Sequence, residues 1–112
     1  MGINVELRTS TPAPRHGRVS TSVLDTVVDF DNVFVDLLNR AHKSGRTPTL
    51  DTIDPYANVT LSGAQVRNFI DELPLLRAYA TSDAERGMLT AIAALAHRCV
   101  TEANCHLHFV GD

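Results

Sequence analysis

Ile3, Val5 and Leu7 alternate with Asn4, Glu6 and Arg8. A period of two is the signature of a strand with one packed face and one wet face. Thr9 to Arg18 carries Pro12, Pro14 and Gly17, which interrupt ladder donors and permit positive φ, so a loose connection spanning about residues 9–22 is predicted. Val19 to Val28 then resumes β-branched character and is expected to pair back on the first strand as a long hairpin. Phe30, Val33, Phe34, Leu37, Leu38 and Ala41 fall on one helical stripe. Asp29, Asp31 and Asn32 supply its N-cap and acidic first turn, and Lys43, Ser44 and Gly45 supply a basic end with a left-handed stop.

Thr49 to Asp54 reads as a short strand, and Asp54-Pro55-Tyr56-Ala57-Asn58 as a turn, because Pro55 fixes φ behind an Asx residue. A brief strand at Val59 to Leu61 precedes a Ser62/Gln65 capping box and the stripe Val66, Phe69, Ile70, Leu73 and Leu76. Pro74 is expected to kink or divide that helix, since it lacks an amide donor and crowds the carbonyl of Ile70. A second box at Ser82 and Glu85 opens the stripe Met88, Ala91, Ile92, Leu95 and Cys99, which Asn104 closes in a left-handed conformation. Cys105, Leu107 and Phe109 then alternate with His106, His108 and Val110 as a terminal strand. Together these elements predict a two-layer α+β domain, a small mixed β-sheet covered on one face by about three helices, with its other face polar.

Length and composition agree with a single domain. The 112 residues, 44% hydrophobic and 21% charged, suffice for one core. The formal charge of −3 and the scattered basic residues argue against a nucleic-acid partner. The apolar runs fall short of the ~20 residues that span a bilayer, and the N-terminus lacks the plan of a signal peptide, so a cytoplasmic chain with no membrane partner is expected. Cys99 and Cys105 form neither a zinc knuckle nor a redox pair and read as reduced thiols, although a disulfide between them is sterically conceivable.

Candidate chemistry is sparse. No G-x-S-x-G elbow or glycine-rich phosphate loop occurs, and Asp29-x-Asp31-Asn32 lacks the later ligands of a calcium loop. His97, Cys99, Cys105, His106 and His108 are close in sequence, but helix and strand periodicity turns them in different directions. What survives is His106 and His108 on one strand face, with Glu6 on a neighbouring strand. These three could serve a metal-dependent enzyme, although cross-strand pairing of Glu6 and Arg8 with the histidines accounts for the same residues without a metal or other cofactor. The leading reading is therefore a non-enzymatic protein-binding module of the immunity or antitoxin kind. Its contact region comprises Glu6, Arg8, His106 and His108 on the sheet, with Asp54, Tyr56 and Asn58 at its end. A third reading is a homodimer formed through the same open face.

The opening Gly2 to Arg8, the Ile53-Asp54-Pro55-Tyr56 turn and the closing Phe109 to Asp112 resemble a group of small bacterial proteins, mainly actinobacterial, with Gly-Ile-x-Val-Glu-Leu-Arg at the start and a Gly-Asp tail. The nine arginines against one lysine suit a GC-rich source of that kind. The resemblance implies a single-domain cytoplasmic protein and transfers no catalytic residue.

Overall fold

The computed structural model describes residues 2–12, 19–42, 44–102 and 104–111. Strand β1 (Asn4–Pro12) is followed by β2 (Val19–Val27), helix α1 (Val33–His42), β3 (Asn58–Leu61), α2 (Ala64–Arg77), α3 (Asp83–Thr101) and β4 (Cys105–Val110). The strands form one sheet in the order β2-β1-β4-β3. The α+β class is as expected from the sequence. The sheet, expected to be mixed, is antiparallel at every pairing. β3 reaches its neighbour β4 through α2 and α3, which return the chain reversed.

Parity sets the two faces. Ile3, Val5, Leu7, Leu61, Leu107 and Phe109 are buried on one side, where the helices contribute Phe34, Leu37, Val66, Phe69, Leu76, Leu89 and Ile92. Phe109 lies at the centre of this layer, stacked on Phe34 at 6.4 Å and tilted against Phe69 at 5.3 Å. The alternate residues Asn4, Glu6, Arg8, His106 and His108 are half-buried on the opposite face. No helix among the described residues is long and apolar enough to cross a membrane.

Four further expectations are corrected. First, β1 and β2 extend into the segment read as a loop, pairing as far as Pro12 with Val19. Serines and threonines tolerate a pleated surface, and Pro12 stands at the strand end, where a ladder donor is dispensable. The remainder of that predicted connection, residues 13–18, lies outside the described residues.

Second, Phe30 is not on the core stripe. It opens a 3-10 turn (Phe30–Asn32), is 74% exposed, and precedes two non-glycine residues in the left-handed region, Asp31 at φ 58° and Asn32 at φ 60°. The helix proper starts at Val33 because the Asp29 carboxylate accepts from the amides of Phe34 (3.0 Å) and Val35 (3.3 Å).

Third, the strand expected at Thr49 to Asp54 is a 3-10 helix (Leu50–Thr52). Leu50 and Ile53 are both buried, a spacing of three that a 3-10 turn satisfies as readily as alternation does. Fourth, of the two outcomes expected at Pro74, division does not occur, since α2 is a single helix from Ala64 to Arg77. The proline lies in the last turn with its ring exposed, so it forfeits one late hydrogen bond without dividing the helix.

The Ser82 box and the two left-handed stops hold, whereas the Ser62 box forms by half: the N-cap of α2 is Gly63, with no side-chain cap bond, and only the Gln65 side chain reaches back. Glu85 N–H donates to Ser82 Oγ at 3.2 Å, Ser62 N–H donates to Gln65 Oε1 at 3.2 Å, and Gly45 and Asn104 adopt φ of 69° and 61°. On α3, Ala91 is exposed and Met88 only half-buried, while Leu89 and Ala96 join Ile92, Leu95 and Cys99 in the core.

Candidate functional site

The uncovered sheet face is organised in rows that cross the strands. His108 of β4 lies between Glu6 of β1 and Thr60 of β3, and Thr26 of β2 continues the row beyond Glu6. In the next row His106 stands opposite Arg8, which stands opposite Val23. The register between β1 and β2 slips by one residue at Leu7 and Arg8, leaving Leu24 in a bulge and turning Val23 onto this face. The structure thus brings Glu6, Arg8, His106 and His108 into one contiguous patch.

Within the patch the pairing differs from the cross-strand ion pairs that parity alone suggests. Arg8 folds back along its own strand, and its Nε donates to Glu6 Oε1 at 2.8 Å. The histidines meet hydroxyl groups instead. His108 Nδ1 lies 2.8 Å from Thr60 Oγ1, and His106 Nδ1 lies 3.5 Å from Ser10 Oγ. Desolvation on the sheet, reinforced by the Arg8 charge, holds the His108 imidazole below its ordinary pKa of 6.5, and Glu6 opposes this only in part. His108 is accordingly neutral at physiological pH.

Asn58 extends the patch at one end, opposite Val110, which is itself opposite Asn4. The turn that carries Asp54 and Tyr56 is closed by Ala57 N–H to Asp54 C=O at 3.2 Å and by Tyr56 N–H to Asp54 Oδ1 at 2.8 Å. It packs over Gly111, whose amide donates to Ala57 C=O. A Cβ at Gly111 would come within 2.7 Å of Pro55 C=O, so only glycine fits there. Tyr56 is 73% exposed at this margin. The seven residues singled out in the sequence therefore divide into a sheet-face group and a turn at its end.

Three buried carboxylates that are obvious candidates for chemistry are fully occupied in holding the fold. Asp29 accepts from Ile3, Phe34 and Val35 amides, tying the start of β1 to the start of α1. Glu72 of α2 accepts from the amides of Thr49 (3.0 Å) and Leu50 (2.9 Å), capping the 3-10 turn. Glu85 accepts from the Thr81 amide and hydroxyl and from Arg40 of α1. The Thr81 amide first, and the Arg40 guanidinium second, bring its carboxyl down to about 2. Sequence reasoning found Asp29 and Glu85 as local caps, whereas Glu72, whose partners lie more than twenty residues away in sequence, left no local signal.

Cys99 and Cys105 are free thiols. Burial pushes the Cys99 thiol up to about 11 and raises that of Cys105 as well, so neither is an activated nucleophile. No group of three histidine, cysteine or acidic side chains among the described residues is placed to hold a metal ion. Glu6, the carboxylate member of the alternative metal triad, is engaged by Arg8.

A groove of about 390 Å³ lies away from this face. It runs between α1 and the 50–55 segment, and it contains the pair His42 Nδ1 and Asp51 Oδ1 at 3.1 Å. No family model, curated protein or solved structure matches the chain.

Proposed function

We propose that the chain is a protein-binding module, a small acidic cytoplasmic inhibitor of the immunity-protein kind, which acts by covering a surface of one partner protein. The observation that carries this reading is the one-sided sheet. Helices bury one face, and the other presents Glu6, Arg8, His106 and His108 in registered rows, flanked by Asn58 and by the exposed Tyr56. A strand-borne patch is held by backbone ladders on each side, so its side chains are positioned before contact and little ordering entropy is lost on binding. Arginine and tyrosine are the side chains that most often anchor interfaces, and here they stand in the patch and at its margin. The occupation of Asp29, Glu72 and Glu85 by structural hydrogen bonds supports binding over catalysis.

Affinity capture from an extract of the source cells tests the proposal. The wild-type chain is expected to retain one protein at equimolar ratio. The double variant Arg8→Ala/His106→Ala is expected to lose it, and Arg86→Ala on the solvent side of α3 to keep it. Equal retention by the sheet-face variant, or no stoichiometric partner at all, overturns the reading.

A further inference from the structure

The turn from β2 into α1, residues 28–32, plays no part in the proposed contact face. It nevertheless holds the most exposed large apolar side chain among the described residues, Phe30, and the two residues that follow, Asp31 and Asn32, both lie in the left-handed region. Aspartate and asparagine visit that region singly. Two in succession make a strained backbone, which persists only where the surrounding structure imposes it. Here the Asp29 carboxylate imposes it by holding the first amides of α1, and the ring of Phe30 is left in water.

Beside that ring is a mainly apolar cavity of about 220 Å³, lined by Val28, Phe30, Asp31, Val33, Ala84 and Met88. Apolar cavities of about 150 Å³ take up benzene, so this one has room for a phenyl ring. Next to Ala84 and Met88, on the exposed side of α3, stands Gly87. A Cβ there would meet nothing within 4 Å, so no internal contact calls for glycine, although glycine weakens the middle of a helix.

We infer that a second copy of this chain covers this face, with the Phe30 ring of each protomer seated in the cavity of the other about a two-fold axis. A surface that carries both a protruding ring and a ring-sized hollow is complementary to itself, which is the condition for an isologous contact. Because Phe30 also lines the cavity, the two rings meet each other across the axis, in the offset arrangement that aromatic pairs favour. Gly87, with the exposed Ala84 and Ala91 beside it, gives the partner room to approach α3 closely. The two rings bury about 300–500 Å², and the walls they cover about as much again. That total stands near the lower limit of specific interfaces, so the dimer is a reversible one with Kd on the order of 100 µM. The inference does not rest on the sheet-face reading, since the two surfaces use different residues.

Sedimentation equilibrium from about 20 µM to about 1 mM, with amide NMR spectra over the same range, tests it. The wild-type chain is expected to pass from monomer to dimer, with shifts confined to Val28, Phe30, Val33, Ala84, Gly87 and Met88. Phe30→Ser is expected to weaken association about a hundredfold and stay monomeric at about 1 mM, because each buried ring is worth at least about tenfold and the dimer buries two. Gly87→Gln is expected to raise the melting temperature of the monomer while weakening the dimer about tenfold, opposite signs that a purely structural position would not give. Leu75→Ser, on α2 outside the cavity, is expected to dimerise as the wild type does. A wild-type chain that stays monomeric at about 1 mM overturns the inference and leaves this face to a different molecule. A dimer that Phe30→Ser or Gly87→Gln leaves unchanged, or one whose shifts centre on His106 and His108, also overturns it.

Discussion

Asp29→Ala is the substitution from which the fold should suffer most for the fewest atoms removed. The carboxylate accepts from Ile3 at 3.0 Å, Phe34 at 3.0 Å and Val35 at 3.3 Å, while the Asp29 amide itself donates to Asn4 Oδ1 at 3.1 Å. Two of the three accepted bonds have good length and the third is long. Hydrogen bonds to a charged group contribute about 1.5–3 kcal/mol each, so truncation should cost about 3–5 kcal/mol and leave the buried Ile3 and Phe34 amides without partners. For a chain of this length that corresponds to about 4 °C per kcal/mol, a fall in Tm of about 12–20 °C. Asp29→Asn keeps one acceptor oxygen and should lose about half as much. Urea denaturation read by circular dichroism measures both variants. A loss below about 1 kcal/mol for Asp29→Ala would refute the claim that this carboxylate fastens β1 to α1.

Phe30→Ser should change stability by less than about 0.5 kcal/mol because its ring is already in water, whereas Phe34→Ala should cost about 3–5 kcal/mol; thermal melts of the two variants separate them. Acidification should weaken the fold through His108. Its folded-state pKa is depressed, so the unfolded chain binds the proton first, and stability falls as pH drops below about 6.5 until the folded-state value is passed. His108→Gln should flatten that part of a pH-dependent denaturation series. A second loss should follow at lower pH, because the contribution of Glu85 is complete above its ordinary 4.5 and disappears as pH falls toward about 2; Glu85→Gln removes this limb. Alkylation of the native protein at neutral pH should be slow at Cys99, with its thiol at about 11, and become fast only on unfolding, as mass spectrometry after iodoacetamide treatment would show.

What the sequence made legible was what depends on near neighbours. Val5, Leu7, Leu107 and Phe109 are buried while Glu6, Arg8, His106 and His108 stand on the open face, because alternation is a property of the strand itself. The Ser82 box, the Asp54 Asx turn and the left-handed Asn104 follow from local chemistry in the same way. Periodicity alone extends the α1 stripe one turn too far, to Phe30. The helix start is fixed by an Asp29 carboxylate that also holds Ile3, from the far end of the hairpin. The segment Thr49 to Asp54 carries no local mark of its 3-10 turn because the cap, Glu72, arrives from α2. For the same reason the groove between α1 and the 50–55 segment leaves no local signal, since its walls come from separate segments that only tertiary packing brings face to face. On the sheet, position was legible and pairing was not. The register sets Arg8 opposite His106, but its side chain turns along the strand to Glu6, a choice made by rotamer and local charge.

The histidines provide the most direct test of the contact face. His106 and His108 stand on the uncovered sheet, and His97 is exposed on α3 in the opposite layer. Their ring-proton NMR signals, followed while the captured partner is added, should shift or broaden for His106 and His108 and stay in place for His97. A complex in which His97 responds while both sheet histidines remain unmoved would contradict the assignment of the open face as the binding surface.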